Sequence, residues 1–155
     1  MYRKILVPLD GSKLAECVFP HTEAIAQLSK ASVEIVHVIE PLELPTRGGI
    51  ALSIDDIRQI ESHSKKDAEN YLRGIVEQLR HAGIKTHSKL LTGRTADSLV
   101  DYIHKSNFDL LIMATHGRSG ISRWIWGSVA EKILHSSSIP VLLVRSLELP
   151  GTKTH

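Results

Sequence analysis

Four short apolar runs constrain this chain more than any other feature. They span residues 5–9, 33–39, 110–114 and 140–144, and they are rich in Ile, Val and Leu. A strand that is apolar at nearly every position must be covered on both faces, which points to a parallel sheet flanked by helices. A fifth run, 84–91, alternates with Thr86, Ser88 and Lys89. That pattern suits an edge strand with one buried face.

Helical periodicity fills the intervals. Ser12 is placed to cap a helix reaching Lys30, with Ala15, Val18, Phe19, Ala26 and Leu28 inward and Pro20 bending it. A long helix over 55–82 carries Ile57, Ile60, Ala68, Tyr71, Leu72, Ile75, Val76 and Leu79, and Gly83 stops it. A third covers 95–105, with Ala96, Leu99, Val100 and Ile103 inward. A fourth begins at Ser128, where Ser128 and Glu131 have capping-box spacing and Val129, Ile133 and Leu134 form the apolar side. The order β-α-β-α-β-α-β-α-β predicts an α/β, Rossmann-like open sheet with helices on both faces. The irregular stretch 40–53, containing Pro41, Pro45, Gly48 and Gly49, is read equally well as a functional lid or a solvated connector. The expected domain is 1–146, followed by a flexible tail over 147–155.

Composition narrows the function classes. At 155 residues the chain fits one domain that needs no metal or disulfide staple. The net charge of +2, with scattered basic residues and only two Trp, three Tyr and two Phe, gives no nucleic-acid footprint. The single cysteine, Cys17, suits a reducing compartment and reads as structural. No apolar stretch reaches membrane-span length, so a cytoplasmic protein is expected. The nine histidines have no paired ligand spacing. His21, His63, His81, His87 and His155 are expected in solvent, and His37 in the core.

Open α/β sheets bind ligands beyond the carboxyl ends of their strands. Pro8-Leu9-Asp10-Gly11-Ser12 ends the first strand. Asp10 is a candidate for bonding a ribose hydroxyl or a ligand-bound Mg²⁺, with a turn role as the alternative. The run Met113-Ala114-Thr115-His116-Gly117-Arg118-Ser119-Gly120 ends the fourth strand and leads to Gly127-Ser128 at a helix start. Glycines and a helix N-terminus can present backbone N–H groups to phosphates, and His116 and Arg118 could add charge. The segment is neither a Walker loop nor a G-x-G-x-x-G fingerprint. No nucleophile–base pair or G-x-S-x-G elbow is visible. A dedicated enzyme is not expected, and a slow ATPase resting on Asp10 and Arg118 is the outside case. A phosphoacceptor receiver is rejected, because its expected Asp and Lys are replaced by Thr92-Gly93-Arg94 and Val144-Arg145.

The opening Arg3-Lys4-Ile5-Leu6-Val7-Pro8-Leu9-Asp10-Gly11-Ser12 resembles that of universal stress proteins. So does the stretch from Met113 to Val144, with Thr115-His116-Gly117-Arg118-Ser119-Gly120 and Gly127-Ser128-Val129-Ala130-Glu131-Lys132-Ile133-Leu134. The resemblance covers about residues 2–145. It implies a five-stranded parallel sheet of order 3-2-1-4-5, a homodimer through the last strand (Pro140 to Val144), and ATP or another adenine nucleotide, with Mg²⁺, as ligand. In the ATP-binding branch the loop reads Gly, two residues, Gly, nine residues, Gly-Ser/Thr. Gly117, Gly127 and Ser128 match it, and Ala114 replaces the first glycine. An Ala there adds a methyl and resists positive φ, which raises a nucleotide-free dimeric module as an alternative. Carried over, Pro8, Leu9, Asp10 and Val38 line the adenine and ribose. Met113, Ala114 and Gly117 floor the ribose and phosphates, and Gly127, Ser128 and Val129 receive the phosphates. Trp124 and Trp126 are expected to pack against the loop body.

Overall fold

In a computed structural model, which describes residues 1–42, 53–115 and 127–145, β1 (Lys4–Pro8) occupies the centre of a parallel sheet. It pairs with β2 (Ser32–Ile39) on one side and β4 (Leu110–Ala114) on the other. β3 (Thr86–Thr92) lies outside β2 and β5 (Val141–Val144) outside β4, so the order is 3-2-1-4-5. The apolar runs of β1 and β4 therefore found the double coverage they required, whereas that of β5 is mostly half-buried at the sheet edge. Ile5, Leu6 and Val7 of β1 are all 0% exposed.

The period-two alternation of the strands divides the core. Ile5, Val7, Ile35 and Ile112 pack with Phe19 and Ala26 of α1 (Phe19–Ser29) and Leu72, Ile75 and Leu79 of α2 (Ile54–His81). Leu6, Val36, Leu111 and Met113 pack with Leu99 and Ile103 of α3 (Thr95–Lys105) and Ala130 and Ile133 of α4 (Ser128–Ser136). Among the described residues, β3 is the edge strand that its polar alternation predicted, and most of it is exposed or half-buried.

Several boundaries differ for local reasons. The helix expected over 12–30 is two elements: a 3-10 turn, Ala15–Val18, and then α1. Ser12 Oγ accepts the Ala15 N–H at 3.2 Å and starts the turn. Pro20 falls in the first turn of α1, where a missing N–H leaves no bond unmade, so it opens the helix rather than bending it. Leu28 is 82% exposed and Leu134 38%, so neither faces inward. Ile60 is 43% exposed and Ile57 half-buried, because the start of α2 lies outside the apolar core that its second half helps to build. Ser53, assigned to the irregular stretch, caps α2 in a reciprocal box with Asp56. Gly83 stops α2 as expected, with φ +80 and the Ile84 N–H returning to Leu79 O at 3.0 Å. That turn delays β3 to Thr86. β5 starts at Val141, while Pro140, lacking an N–H, contributes only its carbonyl to Leu111 N at 2.9 Å. Residues 43–52, most of the candidate lid, and the tail from 146 onward lie outside the described residues.

Asp109 ties the sheet's other end. Its Oδ2 accepts the N–H groups of Arg3 at 2.7 Å and Lys4 at 2.8 Å. These bonds hold its carboxyl below the usual carboxylate range.

Two predictions follow from this packing and from the Asp109 bonds. Leu79→Ala should cost about 2–5 kcal/mol in urea unfolding, whereas Leu28→Ser should stay within about 0.5 kcal/mol. Asp109's folded pKa is depressed, so its contribution is present above an ordinary carboxylate pKa of about 4 and is lost as pH falls through the lowered value. Asp109→Asn should flatten the acid limb of a Tm-versus-pH profile; an unchanged limb would refute the assignment.

Candidate functional site at the carboxyl rim

Strand order reverses at β1, whose onward connection goes to β2 on one side while β4 returns on the other. In open α/β sheets such a reversal marks the ligand crevice at the carboxyl rim. Pro8, Leu9, Asp10, Val38, Met113, Ala114, Gly127, Ser128 and Val129 lie near the carboxyl ends of β1, β2 and β4, and Asp10 alone of them lines the open cleft there, while Leu9 and Met113 are buried in the core. Leu9 prolongs the β1 ladder by donating its N–H to Val36 O at 2.8 Å. Asp10 follows in a tight turn. Its Oδ1 accepts the Ser12 N–H at 2.9 Å and the Ser12 hydroxyl at 2.6 Å. Gly11 has φ +83, a conformation that side chains rarely tolerate. Asp10 thus carries out the turn role, and it also lines the open cleft above the strand.

On the opposite side, β4 ends in Met113, Ala114 and Thr115. Met113 belongs to the α3/α4 core, with Val38 and Val129 packed against the same cluster. Pro8 follows Leu6 by two positions and so shares that face of β1. Ala114 behaves otherwise: its side chain packs against the α1/α2 cluster. Lys30 is the single non-glycine residue with positive φ among the described residues, so Ala114 sits in ordinary extended backbone without strain. The strain foreseen for an alanine here therefore does not arise.

Gly127 returns to this rim. Its N–H donates to Thr115 O at 3.3 Å, and its carbonyl accepts the Glu131 N–H at 3.0 Å. That second bond makes Gly127 the N-cap and Ser128 the first helical residue. The capping box expected from Ser128 and Glu131 is not formed, because the helix starts one residue too early for it and no side chain caps α4. The N–H groups of Ser128, Val129 and Ala130 are left without intrahelical acceptors, at the positive end of the helix dipole. His116, Gly117 and Arg118, with Trp124 and Trp126, lie outside the described residues.

Sequence reasoning misplaced one residue of this rim. His37, assigned to the core, is half-buried and lines a cleft of about 700 Å³ with Asp10, Gly11, Tyr71 and residues of α2. Its Nδ1 lies 2.8 Å from Leu9 O. A carbonyl only accepts, so Nδ1 carries the proton. The Tyr71 ring stands edge-on to the imidazole at a centroid distance of 6.5 Å. Tyr71 in turn donates its hydroxyl to Glu16 Oε1 at 3.3 Å. Burial, then the nearby Glu16 and Asp10 carboxylates, pushes its phenol well above the ordinary range, so it remains a neutral donor. The α2 half of the cleft is polar, with Gln59, His63, Ser64 and Asp67. The available signal was a histidine at the carboxyl end of a strand, two residues before the chain leaves the sheet.

Other expectations are simpler. His21, His63, His81 and His87 are exposed. Among the described residues no cluster of three or more His, Cys, Asp or Glu is placed to hold a metal, and no helix is long and apolar enough to cross a membrane. Cys17 is half-buried, and burial raises its thiol pKa, which keeps it protonated and unreactive.

Comparison with known proteins agrees with this architecture. The model of the universal stress protein family matches residues 1–145. The chain belongs to the universal stress protein family. A universal stress protein of Methanocaldococcus jannaschii is 30% identical over 148 residues, covering 94% of this chain and 83% of that protein. A solved structure of another M. jannaschii protein superposes with a TM-score of 0.83 at 27% identity, covering 96% of this chain and 99% of that one. More distant family structures share the fold. One in complex with cAMP has TM-score 0.68 at 22% identity, covering 94% of this chain and 98% of that one. An Archaeoglobus fulgidus protein with dAMP has 0.62 at 23%, covering 92% and 97%. An Arabidopsis thaliana protein with AMP has 0.65 at 17%, covering 97% and 96%.

The Asp10 turn of this universal stress protein should depend on Ser12. Ser12→Ala removes the hydroxyl bond to Asp10 and the cap on Ala15, and should cost about 1 kcal/mol in chemical denaturation. A stability identical to the parent's would contradict the geometry given for the turn.

Proposed function

We propose that this universal stress protein is an adenine-nucleotide-binding regulatory module that works as a homodimer in the cytoplasm. One observation carries the reading: the N-terminus of α4, tied to the end of β4 by the Gly127 N–H bond to Thr115 O, and the Asp10 turn stand at the carboxyl ends of two neighbouring strands. Helix ends of this kind favour anions, and the three free N–H groups supply donors without a metal. The phosphate end of the ligand is assigned to Gly127, Ser128 and Val129, with Gly117, His116 and Arg118 from the connecting loop. Pro8, Leu9, Asp10 and Val38 are assigned to the nucleoside, and Met113 and Ala114 to the floor. Family relatives in complex with cAMP, dAMP and AMP support an adenine nucleotide. ATP is the form proposed, and Mg²⁺, where present, arrives on its phosphates. The unstrained backbone at Ala114 weighs against the nucleotide-free alternative.

No general base is assigned, so the output of binding is conformational: the ligand favours whichever arrangement of the rim it contacts best, and a partner reads that arrangement. The dimer is proposed through β5, whose outer edge has no strand partner among the described residues. Its half-buried Val141, Leu142 and Leu143 make an unpaired apolar edge that a second copy would cover. A stress-response role follows the family.

Titration calorimetry with AMP, ADP, ATP and cAMP, with and without Mg²⁺, tests the ligand. The expected result is saturable binding of at least one of them at micromolar concentration, with Ala114→Gly changing the affinity less than about twofold. No heat with any of the four at protein concentrations well above micromolar would overturn the reading. Light scattering tests the dimer, and a monomeric mass at micromolar concentration would exclude it.

A further inference from the structure

The sheet fixes an order of groups along its rim. His37 stands at the end of β2, Asp10 at the end of β1, and the α4 N-terminus beyond β4. Neighbouring strands are about 4.8 Å apart, so the rim from β2 to β4 spans about 10 Å. A nucleoside monophosphate laid along it, with its phosphate at α4, carries its ribose past Asp10 and its base to His37.

The chemistry of the cleft fits the base end rather than the phosphate. Among the described residues its lining includes the carboxylates of Asp10 and Asp67, with His37, Gln59, Ser64 and Tyr71, and no Lys or Arg. A phosphate would meet negative charge there, whereas a neutral group bearing N–H or O–H donors meets acceptors. His37 is the acceptor whose orientation is fixed. Its Nδ1–H is held by Leu9 O at 2.8 Å, and the Tyr71 ring lies edge-on to it. In the neutral ring Nε2 is then a bare lone pair with no proton to give. A site that presents a fixed acceptor rewards a donor and penalises a second acceptor.

We propose that His37 is a specificity-determining residue that accepts a hydrogen bond through Nε2 from the 6-amino group of adenine. This rests on the nucleotide-binding reading above and deepens it. A 6-oxo purine places a carbonyl oxygen where the amino group would be, so two acceptors face each other and binding weakens.

The test is calorimetry of the full chain with AMP, inosine 5′-monophosphate and ribose 5-phosphate. Wild type should bind AMP at least about tenfold more tightly than the inosine nucleotide. His37→Asn keeps an N–H able to reach Leu9 O but lacks an acceptor at the Nε2 position. It should lose about tenfold in AMP affinity and most of the AMP-over-inosine preference, while ribose 5-phosphate binding stays within twofold. His37→Gln, which can return an acceptor near that position, should recover part of the preference; circular dichroism confirms that both variants fold. If AMP binds wild type and His37→Asn equally, with the same preference, the role of His37 is refuted and the nucleotide reading stands. If wild type binds no AMP at all, both fall together.

Discussion

The position of β1 governs everything else in this molecule. A strand paired on both edges and covered on both faces has no freedom in register or orientation. Ile5, Leu6 and Val7, all fully buried, hold that place. Because β2 and β4 leave β1 in opposite directions, a crevice must open at its carboxyl end. Leu9, next after β1, stays in the core, and Asp10 and Gly11 line the cleft at that end. The fold thus opens its cleft where its central strand stops.

Much of this was legible in the amino-acid pattern, and the reason is physical. Continuous Ile, Val and Leu runs leave a strand no option but double coverage, and they located four strands to within a residue. The alternation around Thr86, Ser88 and Lys89 marked an edge. Gly83 stopped α2 because it adopts positive φ. The misreadings came from features that depend on one backbone turn. Ser128 and Glu131 have capping spacing, yet Gly127 takes the cap by accepting from Glu131 first. Pro20 was read as a bend, but the chain reached it through a 3-10 turn and met it at a helix start. Leu28 and Leu134 fit a helical stripe in sequence but fall outside the arc that the sheet covers.

The site was legible in outline and incomplete in detail. Asp10 and Gly127 could be placed at the rim because turn and loop residues announce themselves. His37 was expected in the core because an apolar run conceals a polar side chain at its end, and it lines the cleft instead. Only the tertiary contact with Leu9 O, 28 positions earlier, reveals which nitrogen carries the proton and which is left to accept. Ala114 shows the reverse case. By composition it departed from the glycine pattern, but the alternation of β4 turns its methyl into the α1/α2 core.

The central claim is that one ligand bridges the ends of β2, β1 and α4. Amide chemical-shift mapping of uniformly ¹⁵N-labelled protein during an AMP titration tests it directly. The account predicts that His37, Val38 and Asp10 shift together with Ser128, Val129 and Ala130 along a single saturation curve, while Lys4, Thr86 and Asp109 at the opposite end of the sheet stay in place. Binding that moved amides elsewhere and left both ends of the rim unperturbed would contradict it.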